Sequence, residues 1–255
     1  MGKTIAIANQ KGGVGKSVIA VNLAAYAHEK GGRVLVVDLD GQGNTTRFFQ
    51  EDRAPDGQGT SLLFQDGPSP ALVKVRERLW LLPADKALGD VDAQFESDDA
   101  IVRRPRAHLA RWAADFDLVV IDTVPARSRR QIGALVAADA VVTPIGLDKG
   151  SFDGLFDLME DIEGVRRNLH SGLNHAAILV NKFRRANAHQ QRNLKDLRGA
   201  FGERVLPTEL DDRSPVGAAF DSGSTVWHRP TGDSARKAAL EFRAALQAIL
   251  ERSHP

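Results

Sequence analysis

Seven residues near the amino end, Lys11-Gly12-Gly13-Val14-Gly15-Lys16-Ser17, restrict the fold more than any other stretch. A phosphate-cradling loop reads Gly, four residues of any kind, Gly, Lys, then Ser or Thr. Here Gly15, Lys16 and Ser17 supply its end, Gln10 stands where the leading glycine belongs, and Lys11 is an additional lysine at its head. Glycines at 12, 13 and 15 let the backbone turn tightly, so that several N–H groups, including that of Val14, converge on an anion. Lys16 then reaches the terminal phosphates and the Ser17 hydroxyl becomes a ligand of Mg²⁺. Such a loop needs a strand before it and a helix after it. Thr4-Ile5-Ala6-Ile7-Ala8 has the composition of a short buried strand, and Val18 to Lys30 carries apolar residues at helical spacing. The amino end of that helix adds unpaired N–H groups and a positive dipole end to the anion site.

Two more apolar runs end in an acid. Gly31-Gly32 stops the first helix, and Arg33-Val34-Leu35-Val36-Val37-Asp38 reads as a central parallel strand. It runs into Asp38-Leu39-Asp40-Gly41-Gln42-Gly43-Asn44-Thr45-Thr46, beyond a strand's carboxyl end, where sheets of this class bind ligands. Asp40 is the acid placed to orient a water or to act near the metal, with a cap or turn role as the plainer alternative. Phe116 to Asp122 repeats the pattern, and Asp122 becomes the natural carboxylate for Mg²⁺, directly or through water, with a cap of the next helix as the plainer alternative. Further strands are expected at Leu79 to Pro83, Ala140 to Ile145, Ala176 to Lys182 and Val205 to Thr208. Asn181 stands at the carboxyl end of one of them, where an amide can both donate to and accept from an adenine edge; a turn amide is the alternative. The alternation implies an α/β fold, a mostly parallel twisted sheet flanked by helices on both faces, formed as one domain over residues 1–255.

Helices are expected at Ala84 to Ala93, Ala126 to Ala138, Asp148 to Asn168, Asp211 to Phe220 and Ser234 to Leu250, with a surface excursion between Gln50 and Pro70. Arg127, Arg129 and Arg130 fall in the first turn of the second of these, where positive charge opposes the helix dipole and calls for an anionic or acidic partner unless the surface tolerates it.

Net charge is only +1, so bulk basicity does not announce nucleic acid, and any such binding must come from local arginine clusters. The absence of cysteine removes disulfides, thiolate metal sites and iron–sulfur clusters. No leader precedes the first strand and no apolar run approaches the roughly 18 residues of a membrane span, so a cytoplasmic protein is expected.

Taken together, Lys11 to Ser17, Asp38 to Asn44 and Ile121-Asp122-Thr123 resemble the deviant Walker-type ATPases of the ParA/MinD group. The chain is most similar to the short ParA-type plasmid or chromosome partition ATPases, which lack an added N-terminal DNA-reading domain, and the resemblance runs from Thr4 to about Leu250. It implies the P-loop NTPase fold, ATP and Mg²⁺, and a homodimer on ATP binding. Lys11 corresponds to the signature lysine that reaches the partner's nucleotide, Lys16 and Ser17 serve their own, Asp40 supports hydrolysis and switching, and Asp122 is the Walker B acid. Asn181 corresponds to the adenine-contacting amide, and Pro207, Thr208 and Leu210 to the segment beside the base. The resemblance also implies nonspecific DNA binding by the ATP-bound dimer, hence association with the nucleoid, and a DNA-bound ParB-type adaptor that stimulates hydrolysis. Arg236 matches a DNA-contacting arginine, with Arg184, Arg185, Arg192 and Arg213 as looser candidates.

Departures from that pattern are Gly41 in place of proline, Val18 in place of a hydroxyl residue, and Val124 in place of the first of two prolines. Val18 offers the α-phosphate only its backbone N–H, and Gly41 loosens the switch segment. Binding and Mg²⁺ coordination should survive; the sequence leaves the hydrolysis rate open. Rival readings are a MinD-like membrane-cycling ATPase, for which Leu246 to Pro255 lacks the basic amphipathic tail, an ATP-dependent synthetase of the dethiobiotin synthetase kind, and a nucleotide-binding scaffold without turnover.

Overall fold

A computed structural model of the protein describes residues 2–49, 54–94, 99–112, 114–148 and 150–253. The strand β1 (Lys3–Ile7) leads through the glycine loop into α1 (Lys16–Glu29), and β2 (Val34–Asp38) leads into α2 (Asn44–Phe49). An antiparallel pair follows, β3 (Val73–Arg76) and β4 (Leu79–Leu82), and then the short helices α3 (Val91–Gln94) and α4 (Arg104–Ala110). From there strands and helices alternate: β5 (Leu118–Asp122), α5 (Arg129–Ala137), β6 (Ala140–Ile145), α6 (Ser151–Asn168), β7 (Asn174–Val180), α7 (Ala188–Phe201), and finally α8 (Ser214–Asp221) and α9 (Gly232–Ser253).

The sheet has seven strands in the order β3-β4-β2-β5-β1-β6-β7, parallel except at β3. Because side chains alternate across a strand, each strand feeds two cores. Ile5, Ile7, Val34, Val36, Val120 and Leu179 face α1 and α9, where Ile19, Leu23, Phe242 and Leu246 are buried against them. Ala6, Leu35, Val37, Val119 and Ile121 face the other way, toward Phe64, Leu135, Leu158 and Ile162. Helices therefore lie on both faces, as the alternation implied. The crossover from β1 runs to one side, to β2 beyond β5, and the crossover from β5 runs to the other, to β6 beyond β1. That switch point puts the glycine loop at the sheet's carboxyl edge, in the crevice that such sheets use for ligands.

Several elements depart from the expected limits. β3 has no apolar signature because it is an exposed edge strand whose lysine and arginine blunt further pairing. Val205 to Thr208 is not a strand: Val205 makes a single bridge to Ile178, and Pro207 has no N–H with which to extend a ladder. The helix expected from Ala126 starts at Arg129, because Ser128 is extended and its side chain caps the N–H of Gln131. The one expected from Asp211 starts at Ser214, with Pro215 in its first turn. Ala84 to Ala93 becomes a 3₁₀ turn capped by Asp85 and then α3. Asp148 to Asn168 is shortened by Gly150, which takes a left-handed conformation before Ser151. Residues 50–53 of the surface excursion and 254–255 of the tail lie outside the described residues.

Candidate nucleotide site

The glycine loop is held from both sides. On one, Asn9 is fully buried; its Oδ1 accepts the Lys11 N–H at 2.8 Å and its Nδ2 donates to the Pro144 carbonyl at 2.8 Å. On the other, Asn181 Nδ2 donates to the Val14 carbonyl at 2.8 Å while its Oδ1 accepts the Lys182 N–H at 2.9 Å. Gln10 ties the head of the loop to Asp161 on α6, 2.9 Å away. Gly13 and Gly15 have φ of 73° and 92°, the left-handed region open to glycine. A side chain at 13 would meet nothing within 4 Å, so that face of the loop is open, whereas a Cβ at 15 would stand 2.3 Å from Asn181 Nδ2.

Three acids converge behind the loop. Register pairs both Ile7 and Asp38 with Asp122, bringing the ends of β1, β2 and β5 together. Asp122 is fully buried; Thr45 Oγ1 donates to its Oδ2 at 2.8 Å, and its Oδ1 has no hydrogen-bond partner. Burial pushes the Asp122 carboxyl up, although hydrogen bonds from Ser17 and Thr45 and the charge of Lys16 pull the other way. Asp38, also buried, is raised by burial first and then by the charge of Asp122; the N–H and the hydroxyl of Thr46 both donate to its Oδ2, at 2.8 and 2.7 Å. Asp40 is 8% exposed and accepts the Gln42 N–H at 2.9 Å. Lys16, 6% exposed, is shifted down by burial and back up by Asp122 and Asp40.

Lys16, Ser17, Asp40 and Asp122 are therefore gathered at one place, together with a carboxylate oxygen, Asp122 Oδ1, that has no hydrogen-bond partner among the described residues. This donor set fits Mg²⁺ and a polyphosphate. Among the described residues no three His, Cys, Asp or Glu side chains form a cage on their own. That is the arrangement expected for an ion bound through one or two protein oxygens and completed by phosphate and water. Lys11 is half-buried and folds back on its own chain, with Nζ 3.0 Å from Ser151 Oγ. Val18 follows Ser17 within α1, with its N–H at the loop side.

Leu210 is fully buried in the core, so only its backbone can face a base; Pro207 is exposed and Thr208 half-buried. The amide of Asn181 already braces the glycine loop, a role its position in the sequence did not reveal. Thr45 and Thr46 were also missed as supports of Asp122 and Asp38. Their signal was two hydroxyl residues a short helical step beyond an acid-tipped strand.

The arginines divide into two groups. Arg184 pairs with Asp212, Arg185 with Asp211 and Glu209, and Arg213 with Asp211 and Glu241. Arg236, by contrast, lies on α9 with only an exposed Asp233 at 3.3 Å, and Arg192 is exposed on α7. The charge near α5 has partners within the chain: Arg127 pairs with Asp161 and Arg130 with Asp92, and Asp92 Oδ1 also accepts the N–H of Arg129.

A family model described as an AAA domain matches residues 2–175. The chromosome-partitioning ATPase Soj of Thermus thermophilus is 35% identical over 249 residues, covering 96% of this chain and 97% of that protein. Proteins named ParA, Soj and IncC from other bacteria match at 30–34%. Among solved structures, cobyrinic acid a,c-diamide synthase of Mycobacterium smegmatis with a bound ATP analogue and magnesium superposes with a TM-score of 0.81 at 26% identity, over 98% of this chain and 95% of that one. An ATP complex of Cyanothece McdA superposes at 0.85 with 19% identity, over 98% and 96%. The architecture is thus shared with a synthase and with McdA, while sequence identity over nearly the whole chain is higher to the partition protein, 35% against 26%. With its glycine loop, acid-tipped strands and end-to-end match to Soj, the chain belongs to the ParA/Soj family of partition ATPases.

Proposed function

We propose that this ATP-dependent partition ATPase binds Mg²⁺-ATP in the glycine loop, dimerises in that state, and grips DNA without regard to sequence until a ParB-type adaptor stimulates hydrolysis. The observation that carries the reading is the unpartnered Asp122 Oδ1, buried beside Ser17 and Lys16. Loop N–H groups and Lys16 bind the phosphates, and Ser17 and Asp122 hold the metal. Asp40, anchored by the Gln42 N–H, is placed to orient a water. Bound Mg²⁺ supplies charge neutralisation at the phosphates. Asn181 braces the glycine loop through the Val14 carbonyl, and Pro207, Thr208 and the Leu210 backbone serve the base side.

Lys11 completes the site in trans on this reading. To do so it leaves Ser151, which makes ATP the ligand that couples two subunits. Dimerisation then sets two copies of Arg236 and its exposed neighbour Lys237 on one surface, with Arg192 as a further contact. The pairs at Arg184, Arg185 and Arg213 leave those side chains a smaller share of phosphate binding. Such contacts predict a steep salt dependence and little sequence preference.

Against the membrane reading, Leu246 and Ile249 of α9 are fully buried on the sheet. No helix among the described residues is long and apolar enough to cross a membrane. Sedimentation velocity with ADP and with AMPPNP tests the proposal. The wild type should become a dimer with AMPPNP only, and Lys11→Ala should remain monomeric while binding nucleotide one to one. Dimerisation of Lys11→Ala to the wild-type extent would remove the trans lysine.

A further inference from the structure

Beside the glycine loop lies a cavity of about 360 Å³ lined by Asp40, Gly41, Lys86, Val124, Pro125 and Arg130 among others. It shares walls with the nucleotide site. Asp40 acts on Lys16 through its charge, and the Cβ of Pro125 is 4.0 Å from where a Cβ of Gly12 would stand. Two cations and one carboxylate line it, so its charge favours an anion.

Arg130 is fixed there rather than loose. Its Nε donates to Asp92 Oδ2 at 2.8 Å, and the side chain is 13% exposed. Asp92 is itself held, since its Oδ1 accepts the N–H groups of Arg129 and Arg130 at the start of α5, at 2.8 and 3.4 Å. With Nε spent on Asp92, the far edge of the guanidinium extends to the switch segment, where Nη1 lies 3.7 Å from the position a Cβ of residue 41 would take. That is van der Waals contact distance, so the guanidinium lies against the segment that carries Asp40. A guanidinium held by one carboxylate, with its remaining N–H groups on a cavity beside a phosphate loop, is pre-organised for a second anion.

We infer that Arg130 binds the terminal phosphate of the nucleotide, an arginine within the chain that distinguishes triphosphate from diphosphate. This rests on the nucleotide reading of the glycine loop.

Calorimetric titration of ADP and of AMPPNP with Mg²⁺ into wild type, Arg130→Ala and Arg130→Lys tests the inference without reference to turnover. Arg130→Ala should weaken AMPPNP roughly tenfold, the loss of one charge-assisted contact, and leave ADP unchanged. Arg130→Lys should retain part of the AMPPNP affinity, and its thermal unfolding should match that of the wild type. Equal weakening of both nucleotides, or weakening of neither, overturns the inference. Lys16→Ala separates the two levels: if it still binds both nucleotides as the wild type does, the nucleotide reading itself fails, whatever Arg130 does.

Discussion

Gly15→Ala should abolish nucleotide binding at concentrations that saturate the wild type, and should lower stability by about 2–4 kcal/mol from two separate strains. The first is conformational, since residue 15 sits at φ 92°, where an L side chain crowds its own carbonyl. The second is a collision: the new Cβ would stand 2.3 Å from Asn181 Nδ2. The amide must then leave the Val14 carbonyl, whose hydrogen bond contributes on the order of 1 kcal/mol and fixes the loop. Displacement of a fluorescent ADP and urea unfolding measure the two effects. Adding Asn181→Ala should recover part of the stability, because it removes the collision but not the strained φ. Wild-type affinity in Gly15→Ala would show that the loop does not form the site.

Lys16→Ala should weaken both ADP and ATP analogues by about 100-fold or more, because Lys16 is the buried cation at the place where three carboxylates meet. The effect should extend to the free protein. Burial already strains Asp38 and Asp122 toward their neutral forms, and Lys16 offsets the charge of Asp122. Lys16 Nζ also donates to the Lys11 carbonyl at 3.3 Å, a bond worth about 1 kcal/mol, so Lys16→Ala should unfold at slightly lower urea. An exposed cation behaves differently: Arg236→Ala should leave nucleotide uptake and unfolding unchanged.

The site was legible in the sequence wherever chemistry requires a residue type at fixed spacing. Lys16, Ser17, Asp40 and Asp122 could be read because a glycine loop and acid-tipped strands meet at one sheet edge in this architecture. The parallel strands could be read because burial on both faces demands unbroken apolar runs, as in Val34 to Val37. β3 could not, since an edge strand with exposed Val73, Lys74 and Arg76 has no such demand. The bracing by Asn181 and the pairing of Arg130 with Asp92 are contacts across 167 and 38 residues of sequence, and local patterning does not encode them. The arginines near α5 suggested either an external anion or a tolerated surface cluster, and the internal partners Asp92 and Asp161 come from elements distant in sequence.

The coupling of nucleotide state to DNA is tested most directly by titrating a nonspecific duplex with the protein and Mg²⁺ in the presence of ATP, of ADP, and of no nucleotide. Tight binding with ATP alone, declining steeply as salt is raised, is the result predicted. Equal binding under all three conditions would contradict a surface assembled only when two subunits close over ATP.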